Sequence, residues 1–179
     1  MNEIKSVKEL IKALDESVPA DRKEIIAKLN LDSKELLNYA TWKKQGYTRN
    51  CLARSEDYEI ILLCWDQKAV TPIHGHGGQD CWVYQVNGKV LEMRFTKNDD
   101  NDLQLSEKLI LGDGDISYMT DEMGYHLIKN NSKESAMTLH VYAGPIDECE
   151  VYCNEENNFK CLEMEYDCVF DEEVLVEKK

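Results

Sequence analysis

From Gly46 onward the chain breaks into short segments rich in β-branched and aromatic residues: YEIILLCW (58–65), CWVYQV (81–86), KVLEMRF (89–95), DISYM (115–119), YHLIK (125–129) and AMTLHVY (136–142). Each has the length of a strand, and such residues suit a pleated, half-buried surface. Gly112-Asp113-Gly114-Asp115 marks one turn. Asn87-Gly88, the preferred pair for a two-residue hairpin, predicts another between the segments that flank it. Exposed strand edges invite aggregation, so many short strands at regular spacing predict a closed or two-sheet β-structure. Further strand-like pieces lie within 149–170, and the final DEEVLVEKK is expected to fray.

Residues 1–45 follow a helical period instead. Val7, Leu10, Ile11 and Leu14 form the i, i+3, i+4, i+7 stripe of an amphipathic helix. Pro19 interrupts it, and a second segment carries Ile25, Ile26 and Leu29. Asp32 with Glu35 resembles a capping box opening a third segment through Leu36, Leu37 and Ala40. One apolar face each must be laid against something, and the sheet that follows is the obvious partner. No linker, repeat or low-complexity tract divides the chain, so one 179-residue domain is expected: a helical 1–45 and a β-structure over 46–170.

Composition narrows the function classes. The net charge of −14 repels phosphate backbones and anionic lipid surfaces, so neither a nucleic-acid nor a membrane partner is expected. No apolar run approaches the roughly 18 residues that cross a bilayer. The opening MNEIKSVKEL lacks the apolar centre of a secretory signal, which predicts a cytoplasmic location. The seven cysteines (51, 64, 81, 149, 153, 161 and 168) are odd in number and contain no C-x-x-C pair, so neither a disulfide framework nor a structural zinc site is expected.

All four histidines fall between 74 and 140. His74-Gly75-His76 sits in TPIHGHGG, too rich in glycine and proline for a helix. In an extended chain residues i and i+2 share a face, so the two imidazoles project together, whereas on a helix they would diverge by about 200°. A lone H-x-H is equally a surface pair, and the positions that follow decide. After His76 come four residues, Cys81, six residues and Gly88; His126 has Asn130 four positions later. This spacing resembles the two signature motifs of the cupin superfamily, and implies a mainly β fold, a jelly-roll-type double-sheet barrel with a metal inside its mouth and the N-terminal helices packed on it. Most cupins place a glutamate ligand where this chain has Cys81. With only His74, His76 and His126 as metal ligands, the ion keeps its +2 charge and open positions on one side, which suits Fe(II), a chelating substrate and O₂. Zinc with three histidines and water is the alternative on the same residues.

Further segments resemble the thiol dioxygenases, and among them the cysteine dioxygenase family. GYTRN (46–50) is similar to the stretch in which that family carries its substrate arginine, here Arg49, with Tyr47 beside it. Cys81 matches the family's cysteine next to the metal pair. Thr138-Leu139-His140-Val141-Tyr142 resembles its Ser-x-His-x-Tyr strand, with Pro145 and Cys149 following at the family's spacing. The alternation of Thr138, His140 and Tyr142 with Leu139 and Val141 independently gives this strand one polar face, which needs partners if buried. The resemblance implies oxidation of free L-cysteine by O₂ to cysteine sulfinic acid, with Arg49 and Tyr47 binding substrate, His140, Tyr142 and Cys81 in catalytic roles, and a Cys81–Tyr142 thioether cross-link. It also implies small-molecule partners only, and a monomer is expected. The alternatives are a relative acting on 3-mercaptopropionate or cysteamine, a zinc or nickel isomerase-type cupin, and a non-catalytic metal-binding cupin.

Overall fold

The computed structural model describes residues 2–99 and 102–170, so the terminal DEEVLVEKK lies outside the described residues. Among the described residues there are three helices, α1 (Val7–Asp15), α2 (Arg22–Ile26) and α3 (Ser33–Leu36); a 3-10 turn starting at Pro19 leads into α2, and another follows α3. They precede eleven strands: β1 (Tyr47–Arg54), β2 (Glu59–Trp65), β3 (Cys81–Asn87), β4 (Val90–Lys97), β5 (Leu103–Leu111), β6 (Ile116–Met119), β7 (Tyr125–Lys129), β8 (Ala136–Tyr142), β9 (Glu148–Cys153), β10 (Asn158–Glu163) and β11 (Cys168–Val169).

The helices form where the apolar stripe and the caps agree. The Ser6 hydroxyl accepts from the Glu9 amide at the start of α1, and Val7, Leu10, Ile11 and Leu14 are all buried. Asp32 caps α3 by accepting from the Lys34 amide, but the reciprocal half of the expected capping box does not form. Glu35 instead accepts from the Val7 amide at 3.2 Å, one of the orphan donors at the start of α1. The carboxylate therefore ties two helices together rather than closing its own.

The strands lie in three sheets: six strands ordered β11-β1-β2-β8-β3-β6, three ordered β5-β4-β7, and the β9-β10 ribbon. Hydrogen bonding does not run continuously round the structure; isolated bridges such as His74 to His126 and His74 to Val151 connect the parts. Each strand expected from composition is present. Two more form at Tyr47–Arg54 and Leu103–Leu111, the second at the edge of its sheet.

The Asn87-Gly88 expectation needs correction. β3 pairs with β8 and β6, while β4 pairs with β5 and β7, so the turn is a corner between two sheets and not a hairpin. Glycine is still required there: φ is +78°, and an added Cβ would lie 3.0 Å from that of Ala136.

The six-stranded sheet is covered on both faces. Ile60, Leu62 and Cys64 of β2 and Met137, Leu139 and Val141 of β8 pack under Leu10, Ile26 and Leu36 of the helices. The intervening Ile61, Leu63 and Trp65, with Ala136 and Tyr142, face a second cluster inside the β-structure. The polar alternation of Thr138, His140 and Tyr142 is thereby turned inward, into the space between the sheets.

Candidate metal centre and adjoining cavity

His74 and His126 are brought together by backbone pairing: each donates its amide to the other's carbonyl, at 2.9 and 3.0 Å. His76 follows in a loop held by Asp121, whose two carboxylate oxygens accept from the His76 and Gly78 amides, both at 2.6 Å. Gly77 has φ +60°, and a side chain there would strike the Glu148 carbonyl at 2.6 Å. The glycines of HGHGG thus let the loop bend tightly behind the ligand pair.

The three imidazoles converge, with candidate ligand atoms within 4.8 Å of one another, and no carboxylate or thiol joins the cluster among the described residues. His76 Nε2 lies 3.1 Å from His126 Nε2. Two nitrogens each about 2.1 Å from one ion at right angles would be ~3 Å apart, so this separation suits adjacent ligands.

Hydrogen bonding fixes where the protons go. His74 Nδ1 faces the Pro72 carbonyl at 3.0 Å, and His126 Nδ1 faces a Glu92 carboxylate oxygen at 2.8 Å. Both partners can only accept, so each Nδ1 donates and each Nε2 presents a lone pair to the centre. His76 Nδ1 is buried with no hydrogen-bond partner among the described residues; the nearest Asp121 oxygen is 3.8 Å away. Buried lone pairs aimed at one point call for a cation. Burial, reinforced by the neighbouring imidazoles, pushes the His74 pKa down to about 3 and holds His76 well below the usual histidine value. His74 and His76 therefore stay neutral, as ligation requires, and the three-imidazole donor set fits a divalent transition metal.

A cavity of about 70 Å³ opens beside His74 and is also lined by Tyr47, Arg49, His140, Tyr142 and Met164. Arg49 is anchored from behind: its Nε donates to the Glu165 carbonyl at 3.1 Å, and its backbone amide to Asp167 at 2.9 Å. Its Nη2 is buried without a partner among the described residues. An unpaired guanidinium nitrogen is costly unless something anionic meets it. The Tyr47 ring packs on Trp65 with centroids 5.1 Å apart.

The same Trp65 donates Nε1 to the Thr138 hydroxyl at 2.8 Å, and that hydroxyl lies 2.9 Å from His140 Nε2. Indole only donates, which leaves the hydroxyl proton free for His140 Nε2 and, in that arrangement, puts the imidazole proton on Nδ1. Burial raises the Tyr142 pKa well above its ordinary value, with Cys81 adding to it, so the phenol stays protonated. Cys81 and Tyr142 are directly opposite in the β3–β8 register, and burial pushes the Cys81 thiol up as well. Of the residues singled out from sequence, Tyr47, Arg49, His140 and Tyr142 line the cavity with His74, and Cys81 sits opposite Tyr142 in the strand register.

Four contributors were not foreseen: Glu92, Trp65, Asp121 and the 164–167 segment behind Arg49. Glu92 left one faint signal, a carboxylate on the same strand face as buried Val90. The others are met only through tertiary contacts.

Comparison with known proteins agrees with this geometry. A family model described as "Cysteine dioxygenase type I" matches residues 3–155. The Homo sapiens protein named cysteine dioxygenase type 1 is 28% identical over 125 residues, covering 68% of this chain and 62% of the human protein, less than two thirds of its length. The Danio rerio protein of the same name is 22% identical over 172 residues, covering 90% of this chain and 86% of its own. Among solved structures, TT1209 from Thermus thermophilus has a TM-score of 0.51 at 22% identity, covering 61% of this chain and 93% of that one. A Klebsiella pneumoniae protein with a double-stranded beta-helix domain also reaches 0.51, at 14% identity over 72% and 87%. These neighbours share the fold, a double-stranded β-helix in the second. With its family match spanning most of its length, this chain belongs to the cysteine dioxygenase type I family.

Proposed function

We propose that the protein oxidises free L-cysteine with O₂ to cysteine sulfinic acid, at a ferrous ion held by His74, His76 and His126. The observation that carries this reading is one small cavity with histidine lone pairs at one side and the unpaired Arg49 Nη2 at another. A short molecule bearing both a thiol and a carboxylate would meet both groups.

Ferrous iron held by His74, His76 and His126 would supply a +2 charge that favours the thiolate and the redox chemistry that O₂ requires. Arg49 takes the substrate carboxylate as a charged hydrogen-bond donor, its guanidinium already oriented by Glu165. Tyr47, in the same wall, adds a hydroxyl to that end of the cavity. Substrate held at both ends keeps its sulfur near one position, so reacting atoms meet without a search. Tyr142 retains its proton through burial, and His140 is oriented by Thr138; both face the cavity as groups that steady charge developing on oxygen. Both oxygen atoms pass to sulfur, and the thiol supplies all four electrons, so no outside reductant is needed.

The Cys81–Tyr142 register pairing supports a covalent bridge between them. A bond would form from Cys81 Sγ to a Tyr142 ring carbon with loss of two hydrogens, O₂ being the oxidant.

The deciding experiment loads the protein anaerobically with iron, adds L-cysteine and then O₂, and measures sulfinate. Cysteine sulfinate in amounts matching the O₂ consumed is expected. Faster turnover of 3-mercaptopropionate or cysteamine would reassign the substrate, and no thiol-dependent O₂ uptake would leave a metal-binding protein without this activity.

A further inference from the structure

The three histidines are not held alike. His74 has a neutral carbonyl behind it, and His76 Nδ1 has no hydrogen-bond partner among the described residues. Only His126, among the described residues, has an anion bonded to its rear nitrogen. That anion is Glu92 of β4, fully buried. Its Oε1 accepts from His126 at 2.8 Å and from Arg94 Nε at 3.2 Å, while Oε2 accepts from the Ser117 hydroxyl at 2.5 Å. Arg94 in turn donates Nη2 to Ser117 Oγ at 2.8 Å and to the Tyr118 carbonyl at 3.0 Å, and Nη1 to Glu107 at 3.2 Å. Arg94 also lies opposite His126 in the β4–β7 register.

This arrangement joins strands of both larger sheets around one carboxylate. A buried carboxylate without a counter-charge would be strongly unfavourable, and Arg94 supplies that charge. Every neighbour of Glu92 is a donor, so the carboxylate accepts on all sides and leaves His126 no role but donor at Nδ1. Glu92 does not line the cavity and touches no substrate position.

We propose that Glu92, clamped by Arg94 and Ser117, is a positioning residue that sets the affinity of the centre for a divalent metal. It locks the His126 tautomer and ring direction, and makes this imidazole the strongest donor of the three. The proposal rests on the reading of the histidines as metal ligands, and the experiment separates the two.

Cobalt(II) is titrated into the full-length, metal-free chain and followed by its visible absorption, for the parent, E92Q, S117A and H126A, with thermal melting of each metal-free protein as a fold control. E92Q is expected to weaken cobalt binding about 10- to 100-fold, and S117A less. H126A is expected to lose it. If H126A binds like the parent, the ligand reading itself fails. If H126A loses cobalt while a folded E92Q binds like the parent, only the role of Glu92 is overturned. Should E92Q not fold, the unaltered chain decides: long-range proton–nitrogen NMR of the metal-free protein is expected to show His126 protonated at Nδ1, and a proton at Nε2 instead would overturn the proposal.

Discussion

Arg49 and His74 line the same small cavity. In the proposed reaction the first holds a carboxylate and the second gives its lone pair to a metal. The structure pairs Arg49 Nε with the Glu165 carbonyl and sets an acceptor behind Nδ1 of both His74 and His126. A charged hydrogen bond contributes about 1.5–3 kcal/mol, so Arg49→Ala is expected to raise the KM for cysteine by ~10- to 100-fold, with a smaller effect on kcat. Steady-state kinetics over a range of cysteine concentrations check this, and an unchanged KM would move the carboxylate site elsewhere. Peptide mapping after turnover is expected to recover Cys81 and Tyr142 as one linked pair, two hydrogens lighter than the separate peptides. Unmodified peptides would remove the bridge. At this scale the sequence was informative wherever a residue type is rare or its spacing chemical: four histidines in 179 residues, and a cysteine where a ligand glutamate is usual. It was silent on Glu92, one carboxylate among 35 acidic residues, because only a three-dimensional contact distinguishes it.

At the level of elements, the six-stranded sheet divides the molecule into a supporting layer and a chemical one. Leu10 of α1 is fully buried in the cluster between helices and sheet, on the far side from the histidines. Leu10→Ala is expected to cost about 2–5 kcal/mol of stability through the cavity left behind, while leaving the KM for cysteine near its parent value. Chemical denaturation and kinetics on the same preparation test both halves. A large change in KM would mean the helical layer transmits strain into the site. The strands were legible because composition and turn residues agree locally. Their partners were not. Asn87-Gly88 has the chemistry of a hairpin in isolation, yet β3 finds better burial between β8 and β6, and the same turn becomes a corner. β5 was missed although Leu103, Leu105, Leu109 and Leu111 alternate along it, because its residues are neither β-branched nor aromatic apart from Ile110.

For the molecule as a whole, the neutral histidines couple stability to pH. His74, with its pKa down to about 3, and His76 and His140, well below the ordinary 6.5, resist protonation in the folded state. Burial is the main cause in each. Between about pH 6.5 and the lowered values the unfolded chain binds more protons than the folded one, so stability falls as pH falls through that window. For the metal-free protein, the denaturant midpoint is expected to be lower at about pH 5.5 than at about pH 7.5, a range in which most carboxylates stay ionised. Equal midpoints would mean that the imidazoles take up protons inside the fold.

What the sequence determined by itself was the local grammar: a helical start, a succession of strands, and a rare set of imidazole, guanidinium, thiol and phenol groups at recognisable spacing. What only the tertiary structure decided was which nitrogen of His74 and His126 carries the proton, which side of Arg49 is left unpaired, and which carboxylate stands behind the third ligand. Local pattern follows from bonds and periodicities within a few residues. Protonation and orientation follow from partners as distant in the chain as Glu92 from His126, or Arg49 from Glu165, which folding alone brings within hydrogen-bond reach.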